Sequence, residues 1–357
     1  MVKRMKRRAR SDVLPWAAGL ALLGAGWLAL RRPDIPYATL ERRYASGASR
    51  FLGLPDRLRI HYRDEGNPDG RAIVLVHGFF ASLHTWGPWV QRLGDRFRIV
   101  TLDLPGHGLT RAPPDFEMSP GRFAEIVDAV ATHLELGAYV LVGSSMGGGV
   151  AWTLAMKRPE RLRGLVLVGS VGAPTPRGLG AVRPLFRLLT SRWLRPIFRD
   201  LDTRGMIARG LRSAYAEPAL VTPALIDRYF RLSRAPGHRD IILNGGGPPL
   251  PPPAEAFKAI RVPTLVMHGE ADALVPASGG HWIAEAIAGA KLIVYPGVGH
   301  VPMEQIPERS ANDLAAFIDA LAEPGGPAKP PPTPRRRGVK APKTSRGRTA
   351  ATRKTAR

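Results

Sequence analysis

The stretch Val140-Leu141-Val142-Gly143-Ser144-Ser145-Met146-Gly147-Gly148-Gly149 runs an apolar segment into a serine flanked by glycines at minus two and plus two. Tyr139 to Val142 reads as a buried strand, Gly143 to Gly147 as a G-x-S-x-G turn, and Val150 onward as helix. Strand, sharp turn and helix together lift one hydroxyl, that of Ser145, to the apex of the turn. The glycines remove side chains that would collide where strand and helix nearly touch. A second reading stays open at this point, in which Ser145 only caps the helix.

Two further residues follow in chain order. Val262 to Gly269 (VPTLVMHG) reads as a strand, and the loop after it, Glu270 to Pro276, holds Asp272. Lys291 to Tyr295 reads as the next strand, and Pro296 to His300 (PGVGH) brings His300 into the loop beyond it. Ser145, Asp272 and His300 each stand just past the carboxyl end of a predicted strand. In a parallel sheet those ends share one edge, so the three can converge there. An alkoxide nucleophile, a base to take its proton and a carboxylate to orient that base are the parts acyl transfer needs. Each also has a structural reading, Asp272 as a turn former and His300 as a loop histidine; Glu270 is the rival acid. Another strand, Arg71 to Val76, ends in His77-Gly78-Phe79-Phe80, whose backbone can face the nucleophile. The amides of Phe79 and Met146 are the expected oxyanion donors, worth on the order of 3 kcal/mol each. His77 reads as a structural support beneath that loop.

These segments, His77-Gly78-Phe79, Asp103-Leu104-Pro105-Gly106-His107-Gly108, Gly143 to Gly148, Gly269 to Pro276 and Gly299-His300-Val301-Pro302-Met303-Glu304, resemble the serine hydrolases of the alpha/beta-hydrolase superfamily. The resemblance implies the roles reached above for Ser145, Asp272 and His300, and implies that Asp103 and His107 are structural. It is specific for the superfamily and poor at naming a substrate. Haloalkane dehalogenases and epoxide hydrolases of this fold carry aspartate where Ser145 stands. Carbon–carbon bond hydrolases usually carry asparagine before the serine and tryptophan after the histidine; here these are Ser144 and Val301. Esterases and monoacylglycerol-lipase-like members are the better match. The implied fold is α/β: a mostly parallel sheet with helices on both faces, a helical lid insertion and an antiparallel strand at the edge over Arg59 to Arg63.

The formal net charge is +23, but it is concentrated at the ends. Residues 1–32 hold eight Lys/Arg and one acid, residues 324–357 hold eleven Lys/Arg and none, and the remainder carries only +5. Basic ends on a nearly balanced centre suggest tethering rather than a nucleic-acid substrate. The chain has no cysteine, which excludes disulfides and thiolate chemistry. No organic cofactor or metal is called for by a serine, histidine and aspartate mechanism.

The expected organisation is a basic N-terminus with a single membrane anchor (1–32), core (33–170), lid (171–257), core (258–323) and a disordered basic tail (324–357). Val13 to Leu30 runs eighteen residues without a charge. As a helix it would measure about 27 Å, close to the ~30 Å hydrocarbon core of a bilayer. Trp16 and Trp27 sit near its ends and arginines flank it. A signal peptide and a buried core helix are the rival readings. Since no catalytic element precedes Arg71, the anchor reads as dispensable for chemistry. The slight basic excess before the span places the catalytic part on the extracytoplasmic side. Within the lid, Val182 to Asp200 interleaves apolar residues with arginines and suits either covering the site or lying on an anionic surface. Pro248 to Pro253 reads as a stiff connector. The tail cannot bury enough apolar area to fold; anionic lipid or another polyanion is its expected contact.

The functional expectation is a membrane-anchored serine hydrolase of carboxylic esters acting on an acyl ester or lipid. The alternatives are carbon–carbon hydrolysis or cofactor-free peroxidation on the same residues, and a tethered binding protein without turnover.

Overall fold

The computed structural model describes residues 24–174, 199–244 and 254–321, together with Leu22, Ser191, Leu194 and Arg195. Most of the anchor segment, most of Val182 to Asp200, the Pro248 to Pro253 connector and the tail from 322 lie outside the described residues.

Eight strands form one sheet in the order β1-β2-β4-β3-β5-β6-β7-β8. They are β1 (Ser49–Leu54), β2 (Leu58–Gly66), β3 (Ala72–Val76), β4 (Arg98–Leu102), β5 (Tyr139–Ser144), β6 (Leu162–Val168), β7 (Thr264–Gly269) and β8 (Lys291–Tyr295). From β4 to β8 all neighbours are parallel, while β1, β2 and β4 pair antiparallel. The expected antiparallel strand at Arg59 to Arg63 is present as part of β2, but it is not the edge. Ser49–Leu54, which carries no clean apolar alternation, pairs outside it and becomes the edge strand.

The central strands are apolar almost throughout because both faces are covered. Val74, Val76, Leu141, Leu165 and Leu167 point to one side, against α3 (Pro120–His133) and α4 (Met146–Lys157). The alternate residues Ile73, Leu75, Val140, Val142 and Val166 point to the other. There they meet Trp86, α2 (Gly87–Leu93) with Trp89, and the C-terminal helix Pro307–Asp319. Each such side chain contributes about 1.5–3 kcal/mol on burial.

The order of strands reverses at β3, with β4 on one side and β5 on the other, the switch point at whose carboxyl edge open α/β sheets bind ligands. Between β6 and β7 the described insertion contributes α5 (Arg204–Ala214), α6 (Pro223–Leu232), α7 (His238–Asn244) and α8 (Ala254–Lys258). We call it the cap. The segment before β1, including the helix α1 (Tyr37–Tyr44), packs Leu40 against Leu109 and against Leu232 and Ala235 of the cap region. Residues 24–30 are helical, and among the described residues no helix is long and apolar enough to cross a membrane.

Candidate active site

Strand register brings the four loops of interest together. Val76 lies opposite Gly143, so His77-Gly78 runs on beside Ser144-Ser145. Gly269 lies opposite Tyr295, so the loops that hold Asp272 and His300 start side by side.

Ser145 has φ 53° and ψ −115°, a left-handed conformation that costs a non-glycine residue roughly 1–3 kcal/mol. The surrounding backbone enforces it: the Ser145 N–H donates to Val168 O at 2.9 Å, and its carbonyl accepts from Gly148 N at 3.0 Å. Close approach explains the glycines. A Cβ on Gly143 would stand 2.1 Å from Gly147 O, and one on Gly147 would stand 2.2 Å from Val76 O. The Ser145 side chain makes no capping hydrogen bond to α4, so the capping reading fails and the hydroxyl is left for chemistry.

The loop after β3 presses on this serine, since a Cβ at Gly78 would lie 3.1 Å from Ser145 Cβ. Phe79 follows, its ring set edge-on to Phe80 with 4.5 Å between centroids. Met146 opens α4, so its N–H has no acceptor within the helix.

Asp272 and His300 meet directly: the imidazole Nδ1 lies 2.7 Å from Asp272 Oδ2. Asp272 Oδ1 accepts from the Leu274 and Val275 amides at 2.8 and 2.9 Å. His268, the penultimate residue of β7, places Nε2 2.8 Å from Val275 O and 3.3 Å from Asp272 Oδ2. A carbonyl only accepts, so that nitrogen carries the hydrogen. Burial works to raise the Asp272 carboxyl, but the hydrogen bonds from His268 and His300 outweigh it and hold the group well below the usual carboxylate range. Asp272 is therefore a permanent anion facing the imidazole. Glu270 is exposed, and the acid bonded to His300 is Asp272.

His300 is fixed from the cap as well as from the core. Its N–H donates to Ala214 O, at the end of α5, at 2.7 Å. Gln305, in the short helix Pro302–Gln305, accepts through Oε1 from Gly299 N at 2.8 Å and from Ala216 N at 3.2 Å. Gly169, next to the Val168 that holds the Ser145 amide, packs on the ring: a Cβ there would stand 3.0 Å from His300 Nδ1. Ser145 and His300 thus adjoin the same end of β6. Among the hydrogen bonds of the described residues none joins Ser145 Oγ to the imidazole, a bond that in unliganded sites often tightens only when substrate binds.

The supporting residues are neutral or fully bonded. His77 Nδ1 donates to Gly78 O at 2.7 Å while Nε2 accepts from Leu104 N at 3.1 Å, and burial pushes its pKa down. Asp103 accepts from His61 at 2.7 Å and from the Leu83 and Leu109 amides at 2.7 and 2.9 Å. Burial opposes its charge, yet these partners, His61 foremost, hold it well below the usual range. Burial keeps His107 neutral, with Nδ1 3.1 Å from Pro105 O. Sequence reasoning missed His268, Gln305 and Glu304 as supports. Glu304 is partly buried against the Thr85 hydroxyl, which donates to it, with Arg228 of α6 3.8 Å away. Only His268 had a visible signal, its place four residues before Asp272. Among the described residues no group of three His, Cys, Asp or Glu side chains could hold a metal ion.

Comparison with known proteins agrees with this architecture. The sequence profile of the alpha/beta hydrolase fold family matches residues 71–306. The chain belongs to that family. It is 27% identical over 276 residues to the pimeloyl-[acyl-carrier protein] methyl ester esterase of Nitrosomonas europaea, covering 73% of this chain and 99% of the esterase. It is 29% identical over 279 residues to the 2-hydroxymuconate semialdehyde hydrolase of Pseudomonas sp. (strain CF600), covering 74% of this chain and 93% of that enzyme. Among solved structures, a membrane phospholipase A described as a bacterial virulence factor superposes with a TM-score of 0.62 at 25% identity, covering 88% of this chain and 99% of that one. The protein is a hydrolase whose relatives include both esterases and carbon–carbon hydrolases.

Proposed function

We propose that this hydrolase cleaves carboxylic esters of acyl lipids through an acyl-enzyme on Ser145, while held at a membrane by its N-terminus. The observation that carries the reading is the strained, uncapped Ser145 set beside the Asp272-bonded His300. In the proposed cycle, Ser145 Oγ attacks the ester carbonyl carbon and His300 Nε2 takes its proton. The Phe79 and Met146 amides hold the developing oxyanion. Collapse expels the alcohol, which leaves with the proton from His300. Water, deprotonated by the same imidazole, then attacks the acyl carbon, the bond to Ser145 Oγ breaks as that oxygen takes the proton back from His300, and the carboxylic acid is released. Asp272, already bonded to Nδ1, orients the ring and offsets the imidazolium charge in both halves.

An ester substrate is supported by the esterase relative and by Ser144 and Val301, which depart from the pattern of the carbon–carbon hydrolases. That second reading keeps the support of the semialdehyde hydrolase, at 29% identity. A lipid substrate at a membrane is supported by the apolar run Val13 to Leu30 and by the likeness to the membrane phospholipase, which covers 88% of this chain. The slight basic excess before the run favours an extracytoplasmic catalytic part, and the basic tail suits an anionic lipid or other polyanion.

The test is fluorophosphonate labelling of the full chain, then turnover of acyl esters of graded length beside a ring-fission diketone. Labelling at Ser145 with ester turnover supports the reading. Faster turnover of the diketone than of every ester overturns the choice of bond, and absence of labelling overturns the mechanism.

A further inference from the structure

The chain after the apolar run is not a loose tether. Arg31 bridges Leu201 antiparallel, the Arg32 N–H donates to Asp200 O at 2.6 Å, and the Asp202 N–H donates to Leu30 O at 2.9 Å. Side chains reinforce this main-chain seam. Asp34 takes Arg199 and Arg239, each at 2.6 Å, while Arg31 and Arg32 pair with Asp200 and Asp202, each at 3.0 Å. The Arg239 and Asp200 side chains are only 8% and 10% exposed, so the centre of the knot is shielded from salt, while Arg31 and Arg32 at its rim stay partly in water.

At this junction the chain exposes apolar side chains. Leu28 and Leu30 are 63% and 55% exposed, and Met206, four residues past the Asp202 that binds Leu30 O, is 51% exposed. The partly exposed Arg43 and Arg204 meet on Asp227 nearby. Residues 31–43 and 199–240 together hold twelve arginines against seven acidic residues, an excess of positive charge. Leucine and methionine inside an arginine surround match a lipid interface, where the apolar groups enter the acyl region and the guanidinium heads stay among the phosphates.

We propose that the cap end bearing Leu28, Leu30 and Met206 is the face that rests on an anionic lipid bilayer, so that an acyl lipid reaches the site from the bilayer rather than through water. This rests on the membrane reading above and adds a direction to it. The positive excess favours lipid phosphate over an apolar protein partner. The geometry gives the direction a consequence: α5 starts at this junction and ends at Ala214, whose carbonyl holds the His300 N–H. Eleven residues of helix span about 16 Å. Lipid contact at one end of α5 therefore lies one short helix from the catalytic imidazole.

The absence of native cysteine makes the test clean. Single cysteines at the exposed positions Met206→Cys and Ala138→Cys, the latter just before β5 at the amino edge of the sheet, are labelled with an environment-sensitive fluorophore in the full chain. The protein is reconstituted with vesicles of phosphatidylcholine and phosphatidylglycerol that carry a spin-labelled quenching lipid. Quenching several-fold stronger at 206 than at 138 is expected, weakening when phosphatidylglycerol is omitted. Equal, weak quenching at both sites in protein that floats with the vesicles overturns the direction and leaves the membrane reading standing. Protein that does not float overturns both. Equal quenching at 206 with and without phosphatidylglycerol overturns the preference for anionic lipid, and burial of the 206 label against another protein chain without vesicles makes this face a protein interface instead.

Discussion

The carboxyl edge of the sheet and the seam between the N-terminal segment and the cap both hold loops in place, by different physics. At the edge, the buried carboxylates Asp272 and Asp103 are each ionised and held by imidazole and two backbone amides, and His77 and His107 beneath the loops are kept neutral by burial. Glycines let main chain touch main chain. At the seam, arginines and aspartates form a multi-partner network that keeps part of its surface in water. Chemistry needs atoms placed within fractions of an ångström in a low dielectric, which short directional bonds provide. Holding a chain against a surface needs only strength and register, and ion pairs suffice when several share partners.

The largest effect should come from removing the nucleophile. Ser145→Ala is expected to lower turnover about a millionfold and abolish fluorophosphonate labelling. Ser144→Ala, one residue earlier in the same turn but at the end of β5, should leave labelling intact; a labelled Ser144 in a peptide map would reassign the role. Next is the acid. Asp272→Asn should cost about four orders of magnitude in turnover by disturbing the imidazole's tautomer and charge stabilisation, whereas Glu270→Gln should be close to wild type. The reverse pattern, read in steady-state kinetics, would transfer the role to Glu270.

The seam can be broken without touching the edge. Asp34→Asn removes one of the two carboxylates that Arg199 and Arg239 share, leaving Asp200, and should cost about 2–3 kcal/mol, below the ~3–5 kcal/mol of a fully buried pair because Asp34 keeps a quarter of its surface in water. The control is Asp319→Asn, whose pair with Arg96 is half exposed on both sides and should cost under about 1 kcal/mol. Urea unfolding of both variants checks the contrast; equal costs would mean the network adds nothing beyond a surface pair. Truncation follows the same logic. Because Arg31 and Arg32 belong to the seam, a cut through Arg32 should cost stability even where it spares the chemistry, and one ending at Leu30 should retain more.

Acid should separate the two regions most gently. Burial pushes His84 down to about 4 and lowers His77, His107 and His238 as well. These rings are neutral in the folded protein at pH values where the unfolded chain, with ordinary histidine pKa near 6.5, has begun to take up protons. Their contribution is complete above about pH 6.5 and is lost as pH falls toward the folded values. The seam's Asp200, opposed by burial but held down by Arg31 and Arg199, stays charged through that window. Chemical denaturation between pH 7 and pH 5 should therefore show stability falling with acid, less steeply in His84→Gln. A flat profile would contradict the assignment of neutral buried histidines.

Much of the edge was legible beforehand. β3, β5 and β7 announce themselves as apolar runs, because a strand covered on both faces must be apolar at every position, β8 as a short, partly buried apolar run at the far edge, and the residues just past each run had to meet at one end of the sheet. The edge strand was misplaced because Ser49–Leu54 has no alternation of its own; it exists through its pairing to β2. Gln305 was invisible as a support, since nothing local ties a glutamine to the Gly299 and Ala216 amides it accepts from, and the place of His268 four residues before Asp272 was its only signal.

Residue order alone determined that Ser145 sits in a glycine-flanked turn, that an acid and a histidine follow it beyond later strands, and that the charge gathers at the chain ends. Those are properties of short segments, where sterics and apolar periodicity act within a few residues. Which acid meets His300, that the Ser145 hydroxyl is not spent on a helix cap, and that Arg31 to Asp34 lock onto a cap some 165 residues away were decided only by tertiary structure. Each depends on groups distant in sequence arriving within hydrogen-bond reach, and the energy of that meeting appears only once the sheet has brought them there.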